Sequence, residues 1–253
     1  MPMANIACAR AIATRGQRLR RAVAALLLLA CALPAAAAPP AAAPNADPAF
    51  PFSNEIAAFA RANSAGAPVR DATLFLGSSS IRLWDIAGSF RDIDTVNRGF
   101  GGATTAHVLH YYKRLLPPLP PRAIILYVGE NDLAAGVTPQ AVTRDLLTLI
   151  GKLRADYPRA AIACLSLKPS PMRWTLSPKM AEVNAAIAGR ARKEGFAYLD
   201  VGSALLAPDG LPDASLFRPD GLHMNGRGYQ RWTALVDAWL DRVSPPGAGE
   251  SAS

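Results

Sequence analysis

The stretch Asp71–Trp84, DATLFLGSSSIRLW, decides the fold. Its short, largely apolar run Thr73–Leu76 ends at Gly77 and three serines, after which a helical pattern begins. This order predicts a buried strand, a tight turn and the start of a helix. Serines in such a turn lie at the carboxyl end of a strand, where open α/β sheets carry their chemistry. The same residues also fit a serine-rich turn that only caps a helix, so other segments must separate the two interpretations.

Strand and helix patterns alternate about five times along the chain, without an internal repeat. The segment Ala123–Val128 is almost wholly apolar, which is typical of a strand covered on both faces in a parallel sheet. The pattern predicts an α/β fold: a single three-layer α/β/α domain with a central, mostly parallel five-stranded sheet. The expected strands are Thr73–Leu76, Ile93–Asn97, Ala123–Val128, Ala160–Leu167 and Phe196–Val201, and the last two helices are expected over Ser177–Glu194 and from near Asn225.

The N-terminal segment has a different composition from the rest of the chain. Basic residues without an acid are followed by the apolar run Ala22–Ala30 and an Ala/Pro-rich stretch. This order predicts a secretory signal peptide over residues 1–38, a linker over 39–52, the folded domain over 53–243 and a flexible tail over 244–253. The apolar run is too short for a stable membrane span. We therefore expect an exported protein, periplasmic or secreted, with a lipid anchor at Cys31 as the alternative.

Charge and cysteine content further narrow the classes of protein that this sequence fits. The formal net charge is +8, but five of the positive charges lie in the predicted signal peptide and no Lys/Arg block remains after it. A nucleic-acid partner is therefore not expected. Cys8 and Cys31 also lie in the predicted signal peptide, which leaves Cys164 in an apolar run, where it is expected to be a buried small hydrophobe. The hydrophobic core, rather than a disulfide, must then hold the fold.

In a parallel sheet the turns that follow the strands all emerge at one edge. Four predicted turns would meet there, and a fifth loop, Arg218–Asn225, carries Asp220 and His223 three positions apart. A serine becomes a nucleophile when a base takes its proton, and that base needs a carboxylate to fix its tautomer. Ser79, His223 and Asp220 supply these groups. Gly102, in a glycine-rich turn, and the Asn131 amide supply donors suited to an oxyanion.

Four short blocks carry a resemblance to a known family. They are G-S-S-S-I from Gly77, N-R-G-F-G-G from Asn97, G-E-N-D from Gly129 and D-G-L-H from Asp220. Together, over about residues 71–243, they resemble the SGNH, or GDSL-type, hydrolases, which have a flavodoxin-like sheet. Ser78 departs from the family pattern, because an acidic residue usually stands there. Ser78 and Ser80 remain rival nucleophiles, although the spacing from Gly77 favours Ser79.

The resemblance implies a role for each residue of the site. Ser79 would be the nucleophile, His223 the base and Asp220 the residue that orients the imidazole. The backbone N–H groups of Ser79 and Gly102 and the side-chain amide of Asn131 would form the oxyanion hole. The expected protein is an esterase that needs no metal or cofactor and acts on a small-molecule, lipid or glycan acyl ester through an acyl-serine. The alternatives are a lysophospholipase, a thioesterase or a carbohydrate (acetyl) esterase with the same site, and a non-catalytic binding module.

Other polar residues have two interpretations each. Arg173 and Trp174 lie on a loop at the predicted active edge, where they either contact substrate or pack the loop. His107 and His110 are three apart on a helix, but no third metal ligand accompanies them in sequence, so we interpret them as structural. Asp132 is interpreted as a helix cap and left out of the site.

Overall fold

A computed structural model describes residues 50–65 and 69–243. The predicted signal peptide, almost all of the predicted linker and the predicted tail lie outside these residues, so those predictions stay predictions. The strands are β1 (Thr73–Gly77), β2 (Thr95–Gly99), β3 (Ala123–Tyr127), β4 (Ala161–Leu165) and β5 (Ala197–Leu199). The α-helices are α1 (Ser53–Ala65), α2 (Ser79–Arg82), α3 (Ile86–Ser89), α4 (Thr105–Leu115), α5 (Glu130–Ala134), α6 (Pro139–Asp156), α7 (Ser177–Ala191) and α8 (Gly226–Val243), and 3₁₀ helices cover Pro171–Leu176, Ser203–Leu205 and Ala214–Leu216.

The five strands form one parallel sheet in the order β2-β1-β3-β4-β5, which confirms the predicted fold class. The chain passes from β1 to β2 on one side and then to β3 on the other. This reversal beside β1 is the switch point at which doubly wound sheets open a crevice for ligands. Gly77 pairs with both Gly99 and Tyr127, so β1, β2 and β3 end level with one another. The turns after these strands therefore share one edge.

Burial follows the position of each strand in the sheet. Every residue of β1 and β3 is buried, whereas β5 at one edge is only partly buried. Strand β2 departs most from its predicted boundaries, and β4 and β5 each begin one residue later and end two residues earlier than predicted. β5 is three residues long and pairs with β4 alone, and β2 begins at Thr95 and continues through polar residues to Gly99. The two edge strands β2 and β5 are only partly buried, so an apolar pattern defines their ends poorly.

In two long helices the predicted apolar positions can be compared with the buried ones. Helix α6 buries its predicted apolar positions, which are Val142, Leu146, Leu149, Ile150 and Leu153. Helix α8 buries Tyr229, Trp232, Val236, Trp239 and Leu240, but Leu235 and Val243, on the predicted apolar side, are exposed. The Tyr229 hydroxyl donates to the carbonyl of Ser80 at 2.9 Å, and Trp84 Nε1 donates to Thr233 Oγ1 at 3.3 Å. Helix α8 is thus fastened to the helix that begins at Ser79.

Cys164 lies in β4 and is buried. Burial raises the pKa of its thiol to about 12, so the thiol is protonated at neutral pH and is a poor nucleophile. This agrees with its predicted role as a small hydrophobic residue of the core.

Gly77 is required by a close approach between backbones. Its φ is +154°, and a Cβ atom there would lie 1.9 Å from the carbonyl oxygen of Tyr127. That carbonyl accepts the N–H of Ser78 at 3.0 Å, so it cannot retreat without breaking the bond that shapes the serine turn.

We expect Gly77→Ala to lower the free energy of unfolding by about 3 kcal/mol, because an inserted methyl group must move backbone atoms. Thermal unfolding followed by circular dichroism should show a fall in Tm of about 10 °C. Gly151→Ala is the matched control, since Gly151 is exposed on α6 and a Cβ there meets nothing within 4 Å. This control should gain about 0.5 to 1 kcal/mol. Equal Tm values for the two variants would contradict the steric argument.

Candidate active site

Ser79 begins α2, directly after the turn at Gly77 and Ser78. Backbone bonds from Arg82 N to the Ser78 carbonyl and from Leu83 N to the Ser79 carbonyl close this short helix. The three serines differ in exposure, because Ser78 and Ser80 are buried and Ser79 is partly exposed. Among the described contacts, Ser79 is the serine of this turn whose hydroxyl meets a histidine. Of the three serines, Ser79 is thus the one that is partly exposed and placed beside His223.

The loop before α8 brings an imidazole to this serine. His223 Nε2 lies 3.0 Å from Ser79 Oγ, and His223 Nδ1 lies 2.8 Å from Asp220 Oδ2. The other carboxylate oxygen of Asp220 accepts the backbone N–H groups of Leu222 and His223, each at 2.9 Å. An ionised carboxylate only accepts hydrogen bonds, so the imidazole carries its hydrogen on Nδ1. Nε2 is then the acceptor that faces the serine hydroxyl.

Hydrogen bonds stabilise the ionised form of Asp220, whose side chain is 43% exposed. The bonds from the side chain and the backbone N–H of His223 hold the pKa of this carboxyl well below its ordinary value of 3.8. A carboxylate so stabilised stays negative at neutral pH and favours a positive imidazole beside it. The arrangement can therefore accept a proton from Ser79 and stabilise the resulting imidazolium.

Two of the expected oxyanion donors follow the next two strands, Gly102 in the turn after β2 and Asn131 in α5 after β3. Gly102 has a φ of +73°, a left-handed conformation that suits glycine. Asn131 Nδ2 donates to the carbonyl of Ala103, the residue that follows Gly102, at 2.9 Å. Phe100 N donates to the Gly77 carbonyl at 3.1 Å, which joins this glycine turn to the end of β1. The structure thus brings Asn131 to the glycine turn, and that turn to the strand that leads into the serine.

Asn97, which opens the second block, connects β2 to the serine helix. Its Oδ1 accepts the N–H of Gly99 at 2.8 Å, and its Nδ2 donates to the carbonyl of Ile81 at 3.0 Å. A Cβ atom at Gly99 would lie 2.2 Å from the backbone nitrogen of Arg82, so the two segments are in direct contact. These bonds hold the turn after β2 beside α2.

Asp132 was predicted to cap its own helix, and that prediction is wrong. Its buried carboxylate accepts the N–H of Thr105 at 3.0 and 3.1 Å and the Thr105 hydroxyl at 2.6 Å. Burial raises the pKa of Asp132 and outweighs the opposing effect of the bonds from Thr105. Asp132 therefore fastens the first turn of α4 to α5, which carries Asn131. Because Thr105 follows the glycine turn, this contact also holds the end of that turn.

Arg173 and Trp174 separate in the structure. Arg173 Nη1 donates to Glu130 Oε1 at 3.1 Å and to Asn131 Oδ1 at 3.0 Å. Trp174, 38% exposed, instead lines a cavity of about 330 Å³ together with Leu167, Pro169, Met180 and Leu206. Arg173 therefore touches a proposed site residue, and the predicted contact of Trp174 with substrate stays a prediction.

The two histidines of α4 have protein partners. His107 Nδ1 accepts the N–H of Thr104 at 3.1 Å, and the Thr104 hydroxyl accepts the N–H of His107 at 3.3 Å, so the pair caps α4. The ring of Phe50 stacks on His110 with the centroids 3.6 Å apart. Within residues 50–65 and 69–243, no group of three or more His, Cys, Asp or Glu residues is placed to hold a metal ion.

Sequence reasoning missed a charged cluster beneath the site. Glu130 precedes Asn131, and Lys168 lies in the loop after β4; both are buried and form an ion pair at 3.1 Å. Each charge follows closely on an apolar strand, at the edge where the other candidate residues lie, and this position was the sequence signal that could have found them.

Among the described helices, none is long and apolar enough to cross a membrane.

Comparisons with known proteins find similar sequences and a matching family model. The model of the GDSL-like Lipase/Acylhydrolase family matches residues 82–231, a range that begins just after Ser79 and includes Gly102, Asn131, Asp220 and His223. Platelet-activating factor acetylhydrolase IB subunit alpha2 of Rattus norvegicus is 29% identical over 170 residues, which cover 62% of this chain and 71% of that protein.

Solved structures share the fold. One from Streptococcus pneumonia superposes with a TM-score of 0.68 at 23% identity, covering 74% of this chain and 92% of its own. A GDSL-like lipase from Bacteroides thetaiotaomicron gives a TM-score of 0.63 at 18% identity, over 74% of this chain and 97% of its own. At these identities the likeness shows the architecture alone.

Proposed function

We propose a mechanism for this chain, which belongs to the GDSL-like lipase/acylhydrolase family and hydrolyses ester bonds. In this mechanism Ser79 is the nucleophile, His223 is the base and Asp220 is the carboxylate that orients the imidazole. The observation that carries the proposal is the continuous chain of contacts from Asp220 Oδ2 through both ring nitrogens of His223 to Ser79 Oγ. Each distance lies within hydrogen-bond reach, which general-base catalysis requires. A helix cap or a simple turn would need none of this alignment.

The proposed reaction has two steps. His223 Nε2 takes the proton of the Ser79 hydroxyl while Oγ bonds to the ester carbonyl carbon, and the carbonyl oxygen becomes an oxyanion. The oxyanion accepts hydrogen bonds from the backbone N–H groups of Ser79 and Gly102 and from the Asn131 amide. The bond to the alcohol then breaks, and the alcohol leaves with the proton from Nε2. Water, deprotonated by His223, attacks the acyl-serine and releases the carboxylic acid and free Ser79.

We propose acetyl and other short acyl esters as the substrate class. The support is the similarity to proteins named as platelet-activating factor acetylhydrolase subunits, which recurs in the alpha1 subunit of Bos taurus at 25% identity over 191 residues. The proposal does not specify the alcohol part of the ester, which is a lipid, a glycan or a small molecule. No cofactor takes part in this chemistry as proposed.

Export is also part of the proposal. Residues 1–38 carry the basic, apolar and small-residue order of a signal peptide, and the folded domain follows an Ala/Pro-rich segment. We propose a periplasmic or secreted enzyme. Mass spectrometry of the mature N-terminus from native cells tests this, and detection of the intact apolar segment would reject cleavage.

The function is tested with a fluorophosphonate probe and a series of p-nitrophenyl esters. A fluorophosphonate phosphonylates serines that are activated by a base, and peptide mapping should locate the label on Ser79. Hydrolysis should be fastest with acetyl or butyryl esters and fall as the acyl chain lengthens. Absence of both labelling and hydrolysis, while a control esterase reacts, would favour the non-catalytic binding module. A preference for long acyl chains would reject the short-acyl proposal and leave the mechanism standing.

A further inference from the structure

Three charged side chains and a phenol form a buried cluster next to Asn131. Glu130 Oε2 accepts the Tyr127 hydroxyl at 2.5 Å and Lys168 Nζ at 3.1 Å, and Glu130 Oε1 accepts Arg173 Nη1 at 3.1 Å. The side chains of Glu130 and Lys168 are 5% and 1% exposed, and that of Arg173 is 18% exposed. Burying such charges costs free energy that their attraction offsets only in part. Stability alone is therefore a weak explanation for this cluster.

Glu130 is ionised in this cluster. Burial alone would raise the pKa of its carboxyl, but Lys168, the bond from Tyr127 and Arg173 together lower it below the ordinary value. An ionised Glu130 fixes Arg173 through a charged hydrogen bond. Arg173 is also held by its loop, because Met172 N donates to the Gly221 carbonyl at 3.0 Å. Glu130 thus holds the guanidinium, and the Met172 bond holds the backbone next to it.

The contacts of Asn131 decide which way its amide faces. A guanidinium only donates hydrogen bonds, so the atom at 3.0 Å from Arg173 Nη1 must be the amide oxygen. The Ala103 carbonyl only accepts, so the atom at 2.9 Å from it must be the amide nitrogen. The two contacts agree on one orientation. Among the contacts of the described residues, the second hydrogen of the NH₂ group has no acceptor, so it is available to a substrate oxygen.

The same cluster reaches the loop that carries the imidazole. Lys168 Nζ donates to the carbonyl of Leu222 at 2.9 Å, one residue before His223. Glu130 and Lys168 therefore connect the amide side of the site with the histidine side. The cluster is therefore placed to support Asn131, the proposed oxyanion donor. Arg173 is the residue of the cluster that contacts Asn131.

We propose that Arg173 is a positioning residue that holds the Asn131 amide with its N–H groups toward the reacting carbonyl, with Glu130 and Lys168 holding Arg173 in place. The proposal rests on the proposed esterase function and deepens it. It differs from a substrate contact by Arg173, because the effect on the reaction passes through Asn131.

The test is a double-mutant cycle on kcat with p-nitrophenyl acetate. Asn131→Ala alone should lower kcat by about 10²- to 10³-fold, the effect of losing one oxyanion donor. Arg173→Met alone should lower kcat by about 10- to 100-fold with little change in KM, since the amide can then turn its oxygen inward. Glu130 keeps Lys168 and Tyr127 as partners in this variant. In Arg173→Met/Asn131→Ala, the loss should equal that of Asn131→Ala alone, because Arg173 has no amide left to position.

Controls separate positioning from structural and binding roles. Arg144→Met removes a surface arginine paired with Asp145 on α6 and should leave kcat unchanged. Arg173→Lys keeps a positive charge beside Glu130 and provides a second cycle if Arg173→Met does not fold; its smaller loss should likewise vanish on the Asn131→Ala background. Losses that multiply in the double variant would reject the proposal, as would a raised KM with unchanged kcat. Failure of the wild-type protein to hydrolyse the ester or to take the fluorophosphonate would instead reject the esterase function and the proposal with it.

Discussion

Ser79→Ala is expected to lower kcat for p-nitrophenyl acetate by about 10⁴-fold or more, since no covalent acyl-serine can form. The partly exposed hydroxyl of Ser79 lies 3.0 Å from His223 Nε2, and an alanine leaves the imidazole without a proton to accept. Steady-state hydrolysis by purified protein measures the loss, and circular dichroism verifies that the fold persists. The residual rate should reflect water attack assisted by the remaining oxyanion donors.

Neighbouring serines supply the matched controls for this result. Ser78→Ala and Ser80→Ala each remove one hydroxyl from the same turn, but both side chains are buried. Either variant should retain kcat within about 10-fold of wild type, because the nucleophile and base are unchanged. Near-normal hydrolysis by Ser79→Ala together with an inactive Ser78→Ala or Ser80→Ala would transfer the nucleophile to a rival serine.

Asp220→Asn is expected to lower kcat by about 10⁴-fold, because it reverses the tautomer of His223. If the new amide oxygen accepts the backbone N–H groups of Leu222 and His223, the NH₂ group faces Nδ1 and makes Nδ1 an acceptor. Nε2 then carries the hydrogen and cannot take the serine proton. If the amide turns round, its NH₂ opposes two backbone donors instead. Either orientation loses the arrangement seen with the carboxylate.

Asp213→Asn is the matched control for Asp220→Asn. Asp213 also accepts a backbone N–H two residues later, at 2.9 Å from Ser215, and hydrogen bonds from Ser215 lower its pKa in the same direction. It has no described contact with His223, so its conversion to Asn should leave kcat unchanged. Comparable losses in both variants would mean that loop stability, rather than the tautomer, is being measured.

The pH dependence of the wild-type enzyme follows from the direction of the Asp220 shift. A carboxyl whose folded pKa is lowered contributes stability above its ordinary pKa of 3.8 and loses it as pH falls through the folded value. Asp220 is therefore ionised throughout the pH range of ordinary assays. Titration of Asp220 should therefore add no step to the pH profile of kcat/KM in that range.

The parallel sheet could be predicted because inner strands are apolar on both faces and helices repeat apolar residues at their own period. The helix α6 pattern, from Val142 to Leu153, gave buried positions directly. The ends of β2 and β5 could not be predicted so well, since edge strands are covered on fewer sides. Ser79, His223 and Asp220 could be named because their residue types and their positions at strand ends point to one chemistry.

The buried charges could not be predicted in the same way. Glu130 and Lys168 are 38 positions apart, and each alone is typical of a solvated surface. Their burial depends on meeting each other, which only the packing of strands β3 and β4 brings about. Asp132 was misassigned for the same reason, because its partner Thr105 belongs to a different helix. Local propensity describes a residue's own helix and carries no information about such distant partners.

The bond from Tyr229 in α8 to the Ser80 carbonyl spans 149 positions, and the contact between Ser79 and His223 spans 144. During synthesis the serine turn leaves the ribosome long before either partner has been translated. The hydroxyl therefore remains chemically ordinary on the growing chain. On the proposed mechanism, hydrolytic competence arises only after His223 has been translated and has met Ser79, so the growing chain is harmless to cellular esters until then.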